Sequence, residues 1–181
     1  MAHLLTIAGA LRQGSTNRLL AAEAARLFAP ETVTVADLRL PLYDGDLEDS
    51  QGIPPEVQAL ADQIAAADAV VISTPEYNKA LSGVLKNALD WVSRTKGGPW
   101  RHKPVAIMSA TAGRSGGERA QSSLRLALNP FRPHLLSGPE VLVADSGNAF
   151  DETGRLRNER YAKSLDELMQ ELRAAAARQI G

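Results

Sequence analysis

The stretch Gly9-Ala10-Leu11-Arg12-Gln13-Gly14-Ser15-Thr16-Asn17 separates an apolar, β-type run from a segment of helical period, and its residue types suit a phosphate. In such a turn the hydroxyls of Ser15 and Thr16, the Asn17 carboxamide, the Arg12 guanidinium and the backbone N–H groups freed at a helix start converge on a dianion, with the positive end of the helix dipole behind them. Each charge-assisted hydrogen bond contributes about 1.5–3 kcal/mol, so three or four anchor a nucleotide phosphate. The same residues also make an ordinary helix cap with two turning glycines, and the loop alone leaves both readings open. It is neither the spaced Gly-x-Gly-x-x-Gly of dinucleotide folds nor a Walker loop.

Two further loops carry residues of the same kind. Thr74-Pro75-Glu76-Tyr77-Asn78 follows a very apolar run and leads into Leu81-Ser82-Gly83-Val84-Leu85-Lys86-Asn87-Ala88-Leu89-Asp90-Trp91. Pro75 restricts the turn and biases Thr74 towards extended geometry, so the backbone amides and carbonyls that follow can hold the edge of a flat ring. An ordinary strand-to-helix turn, with Tyr77 half-buried and Glu76 solvated, fits the spacing equally well. Ser109-Ala110-Thr111-Ala112-Gly113-Arg114-Ser115-Gly116-Gly117 is rich in small residues, which let backbone approach a ligand plane closely.

These loops need a scaffold, and the hydrophobic pattern supplies one. Short apolar runs at Leu4 to Ala8, Thr32 to Ala36, Ala69 to Ser73, Val105 to Ser109 and Val141 to Ala144 alternate with segments of helical period, as expected of βαβ units. Leu20, Ala24, Leu27 and Phe28 share a helical face, as do Val57, Leu60, Ala61 and Ile64 behind Pro54-Pro55, and Val84, Leu85, Ala88, Trp91 and Val92. Ser115 and Glu118 have capping-box spacing, which predicts a fourth helix starting near Ser115 with Ala120, Leu124, Ala127 and Leu128 inward. The last helix is expected over about Asn158 to Arg178, burying Tyr161, Leu165, Leu168 and Leu172. Five strands joined by helical crossovers suit either of the common doubly wound orders, and the short chain favours the flavodoxin-like one. The fold expected is therefore α/β: a doubly wound, flavodoxin-like five-stranded parallel sheet in the order 2-1-3-4-5, helices on both faces, as one domain over residues 1–181. In that order the loops after strands one, three and four line one crevice at the carboxyl ends of the strands. Asp37 to Gly52 and Asp145 to Gly154 read as polar loops.

Composition narrows the chemistry. The absence of cysteine excludes disulfides, thiolate nucleophiles and Cys-ligated metal, so redox chemistry requires a bound organic cofactor. A net charge of −1 gives no general attraction to nucleic acid or anionic membrane, and no apolar run approaches the roughly 20 residues of a spanning helix. The N-terminal residues lack a basic flank and a cleavage site, so a cytoplasmic location is expected. His3, His102 and His134 are scattered, so no metal site is expected. The basic stretch Arg94, Lys96, Arg101, His102 and Lys103 reads as a solvated loop ahead of a contact for NADPH phosphate.

Taken together, the three loops resemble those of the NAD(P)H-dependent FMN reductase family: its Gly-Ser-Leu-Arg-x-x-Ser-x-Asn loop, its Pro-Glu-Tyr-Asn followed by Ser-Gly-x-Leu-Lys-Asn-x-x-Asp-Trp, and its small-residue loop ending in Gly-Gly. Ala10 departs from the pattern, which has serine there. The resemblance implies FMN as cofactor and NADPH or NADH as reductant. It implies that Arg12, Ser15, Thr16 and Asn17 hold the phosphate, that Pro75, Glu76, Tyr77 and Asn78 border the isoalloxazine ring, that Thr111 and Gly113 flank it, and that Ala10, Leu11 and Ser109 belong to the same cofactor-binding loops. Chemistry then takes place at flavin N5, with no side-chain nucleophile and no metal. Electrons pass to a small-molecule acceptor such as a quinone, free flavin, an azo compound or a metal oxyanion, in a homodimer or homotetramer. A flavodoxin-type electron carrier is the alternative; such carriers are strongly acidic and lack an arginine in the phosphate loop, whereas this chain is near neutral and has Arg12.

Overall fold

Each central strand of the sheet is apolar on both faces, because each is covered twice. The computed structural model describes residues 2–179. β1 (His3–Ala8), β2 (Thr32–Val35), β3 (Ala69–Thr74) and β4 (Pro104–Ala110) form a parallel sheet in the order β2-β1-β3-β4. Every residue of β3 and β4 is buried, as expected of parallel strands between two helical layers. Alternate residues point to opposite sides. Leu4, Val71, Ala106 and Met108 meet one cluster under α1 (Thr16–Phe28) and α6 (Glu159–Gln179). Leu5, Val70, Ile72, Val105 and Ile107 meet the other, under α3 (Pro55–Ala66), α4 (Gly83–Val92) and α5 (Glu118–Leu128).

The strand order agrees with expectation, and the count differs. The edge beyond β4 holds two short pieces: β5 (His134–Leu135) pairs with Pro104 and Val105, and β6 (Leu142–Val143) pairs with Ser109 and Ala110. Only β6 corresponds to the expected fifth strand. A two-residue His-Leu piece is too short to signal β5 in the sequence, and its pairing is set by β4.

Two other expectations change. Asp37 to Gly52 contains a short helix, α2 (Gly45–Gln51), opened by Asp44 accepting from the Asp46 amide at 2.9 Å. Asp and Gly rich composition describes a helix cap as well as a loop. α5 starts at Glu118, and Ser115 makes no side-chain cap there: Gly117 takes the cap position with φ 94°. Gly116, at φ 62°, and Gly117 turn the chain after Ser115, so the hydroxyl is not in line with the helix.

α6 is tied to the C-terminal end of α1. Arg173 of α6 donates to the carbonyls of Phe28 and Leu27, the last of α1, at 3.1 and 2.8 Å, with its guanidinium 5.7 Å from the Phe28 ring centroid. This satisfies two of the carbonyls that a helix end leaves without partners.

The loop between β2 and α3 is strapped to α4. The carbonyl of Pro41 accepts from Asn87 Nδ2 and Trp91 Nε1 at 2.9 and 2.8 Å, and the Tyr43 amide donates to Asn87 Oδ1 at 2.9 Å. Tyr43 meets the Trp91 ring edge-on at 5.0 Å and donates to Glu48, which also binds Arg94 at 2.9 Å. Arg94 of the basic stretch is thereby committed to a carboxylate. The Arg94 hydrogen bond, with a smaller contribution from Tyr43, holds the Glu48 carboxyl below the ordinary glutamate range. A depressed carboxyl stabilises the fold above its unfolded range, and the contribution disappears as pH falls through the folded value. Acidification from about pH 4.3 downwards, through the depressed Glu48 value, is therefore expected to release Tyr43 from Trp91 progressively, followed as a change in tryptophan emission that Glu48→Gln removes.

Candidate active site

Four loops meet at the carboxyl ends of the strands and enclose a cleft of about 720 Å³, within the roughly 300–1,000 Å³ of small-molecule sites. The loop after β1 supplies Ala10, Arg12, Ser15, Thr16 and Asn17; the loop after β3 supplies Pro75, Glu76 and Tyr77; the loop after β4 supplies Thr111 and Gly113. Ten of the thirteen residues expected at the site thus line one cleft. Leu11 faces a separate cavity. Asn78 sits at φ 50° in the tight turn closed by the Tyr77–Ala80 bridge, outside the cleft wall. Ser109 is fully buried behind the wall, donating to the Gly116 carbonyl at 2.6 Å and accepting from Gln121 at 2.9 Å.

The fourth contributor is the loop after β6, where Ser146 and Gly147 line the cleft. Thr16 donates to Ser146 Oγ at 3.1 Å, linking this loop to the start of α1. Its sequence signal is a Ser-Gly pair directly after a strand; recognising it requires knowing that β6 lies beside β4.

Local chemistry explains how the first loop is presented. Ser15 takes the cap position of α1 and accepts from the Asn17 amide at 3.2 Å, while its carbonyl accepts from Arg18 and Leu19. Asn17, 2% exposed, is a bracket between elements. Its Nδ2 donates to the Ala110 carbonyl at 2.8 Å, and its Oδ1 accepts from the Ala110 amide at 3.0 Å and from Ser73 Oγ at 2.8 Å. One side chain therefore ties α1 to the ends of both β3 and β4. Gly9 lets the first two loops close against each other: a Cβ there would lie 3.0 Å from Ser82 Oγ and 3.3 Å from Pro75 Cδ.

Glu76 shows why α5 needs no local cap. Its Oε2 accepts from the Ala120 amide at 3.3 Å, in the first turn of α5, so the second loop supplies the cap from 44 residues away. An acidic group at a helix N-terminus is favourable, and the contact fixes the second loop against the start of the helix that follows the third. Arg12 and Glu76 are the two charged residues among those lining the cleft. With Glu76 turned onto α5, the charge offered to a ligand is the Arg12 guanidinium, which has no hydrogen bond or ion pair among the described residues.

An exposed, uncommitted guanidinium beside hydroxyls and a helix start, facing small-residue loops across a cleft of nucleotide size, fits a phosphorylated flat heterocycle. Fold and site together define a flavodoxin-like nucleotide-binding protein. The family model described as NADPH-dependent FMN reductase matches residues 2–148. The NAD(P)H-dependent FMN reductase PA1204 of Pseudomonas aeruginosa is 43% identical over 171 residues, covering 93% of this chain and 92% of that protein. A quinone reductase of Escherichia coli strain K12 is 39% identical over 176 residues, covering 94% and 92%. Among solved structures, the flavoenzyme NAD(P)H:(acceptor) oxidoreductase FerB from Paracoccus denitrificans superposes with a TM-score of 0.87 at 29% identity over 98% of each chain. The chain belongs to the NADPH-dependent FMN reductase family. It is an oxidoreductase whose cofactor is FMN and whose reductant is NAD(P)H. Among the described residues no helix is long and apolar enough to cross a membrane.

Proposed function

We propose that this chain carries electrons from NADPH or NADH, through FMN held in the four-loop cleft, to a small acceptor of the quinone class. The observation that carries the reading is the convergence of Arg12, Tyr77 and Gly113 on one cleft in which Arg12 alone has an uncommitted charge. FMN, when bound, supplies the two-electron chemistry of its ring. The protein's part is to bind, orient and shield.

In this reading Arg12, Ser15 and Thr16 hold the phosphate at the start of α1, and Asn17 keeps that start fixed against β3 and β4. Ala10 approaches with backbone alone, having no hydroxyl to offer. Pro75, Glu76 and Tyr77 border the ring, and Thr111 and Gly113 flank it. Leu11, Asn78 and Ser109 shape the same loops from outside the cleft wall. Tyr77 is 58% exposed, so the rim beside the ring is open and lets reductant and acceptor reach the same face in turn. The quinone class is supported by the name of the Escherichia coli relative. One domain, assembling as a homodimer or homotetramer in the cytoplasm, completes the reading, and light scattering tests the assembly.

Arg12→Ala is expected to weaken FMN binding by on the order of 2 kcal/mol, because charged hydrogen bonds to phosphate are lost. A flavin-fluorescence titration reads this directly, and an unchanged Kd removes Arg12 from the phosphate site. Anaerobic mixing with NADPH or NADH separates this enzyme from a flavodoxin-type carrier: the bound flavin bleaches in the enzyme and stays oxidised in the carrier.

A further inference from the structure

A second cavity lies on the far side of the first loop. α1 packs over β1, β3 and β4, and the edge strand β2 is left with Val33 and Val35 at 44% and 63% exposure. Between the two is a cavity of about 220 Å³, with Ala21, Ala22 and Ala25 of α1 on one side and the valines on the other. Alanines where longer side chains would fill the space keep it open.

The polar groups around this cavity are already paired, with one exception. The Thr6 hydroxyl donates to the Thr34 carbonyl at 3.3 Å. At the mouth Asp37 is paired with Arg39 at 3.0 Å, and Arg39 also donates to the Leu11 carbonyl at 3.1 Å. Arg18, in the first turn of α1, lines the same cavity, and its guanidinium has no hydrogen bond or ion pair among the described residues. The interior therefore suits an apolar body that brings no polar group, and the rim offers one uncommitted cation.

From this arrangement we infer that the cavity is a binding site for a hydrophobic monocarboxylate, its ring or short chain seated among Ala21, Ala25, Val33 and Val35 and its carboxylate on Arg18. An apolar cavity of about 150 Å³ accommodates benzene, so a body of benzoate size or somewhat larger fits here. The site stands apart from the nucleotide cleft, with Ala10 as the one residue lining both. Its occupancy does not depend on FMN.

The full chain, with and without FMN, is titrated with benzoate, with benzyl alcohol as the same body without charge, and with acetate as the charge without the body, following amide shifts by NMR. Benzoate is expected to saturate at least about tenfold more tightly than either control, since a charge-assisted hydrogen bond contributes that much, and to shift amides of α1 and β2. Arg18→Gln should reduce benzoate to the level of benzyl alcohol. Val35→Glu puts a carboxylate in the cavity wall and should weaken both aromatic ligands, benzoate more than benzyl alcohol because its own charge is repelled. Equal binding of benzoate and acetate overturns the proposal, as do shifts confined to the residues around Arg12 or indifference of benzoate to both substitutions. Any of these results leaves the FMN titration of the Arg12 variant as it was.

Discussion

Asn17→Ala is expected to destabilise the fold by roughly 3–5 kcal/mol and to cost the protein its hold on FMN. The substitution leaves the Ala110 N–H, the Ala110 carbonyl and the Ser73 hydroxyl without the partner each now has at 2.8–3.0 Å. All three are buried, and each buried polar group deprived of its partner costs about 1–3 kcal/mol. Relaxation and an entering water recover part of that, hence the lower total. In a domain of this size the loss lowers Tm by roughly 6–20 °C, measured by calorimetry. Asn17→Asp separates the contributions: it keeps the acceptor for Ser73 and the Ala110 amide, loses the donor to the Ala110 carbonyl, and introduces a buried charge. A loss below about 1 kcal/mol for Asn17→Ala would show that the bracket contributes little.

Gly116→Ala is the second large effect, expected at roughly 2–5 kcal/mol from a left-handed backbone conformation and an overpacked contact acting together. Gly116 has φ 62°, and a Cβ there would lie 2.5 Å from the carbonyl carbon of Leu142 and 2.6 Å from its oxygen. Backbone atoms of β6 cannot rotate away as a flexible side chain can. The displaced segment is the end of the third loop, so FMN affinity should fall together with stability. Gly113→Ala is the control, because its Cβ would meet only Thr111 Oγ1 at 4.0 Å. Chemical denaturation of the two variants side by side checks this, and equal midpoints would refute the close approach of Gly116 to β6.

Much of the site was readable from local pattern. Strand and helix periods placed the three loops at one sheet edge, and the residue types in them, above all Arg12 and the Pro75 to Trp91 stretch, gave the chemistry. Individual roles were less accessible. Asn17 has the same residue type as a phosphate ligand or a local cap, yet its carboxamide is spent on Ser73 and Ala110, 56 and 93 residues away. Asn87 and Trp91 belong to the family's motif, and the structure shows them holding the Pro41 carbonyl rather than facing the cleft.

Periodicity and turn residues settle the fold class, because each depends on neighbours within a few positions along the chain, and the lack of cysteine settles the need for an organic cofactor. The strand order was favoured by chain length and fixed by the long-range pairing of β1 with β2 and β3. The tertiary structure alone decided that Glu76 caps α5, that Ser146 joins the site and that β5 and β6 share one edge of β4. Those outcomes depend on hydrogen-bond partners brought together by packing, and a polar side chain's choice among partners far along the chain leaves no periodic trace in sequence.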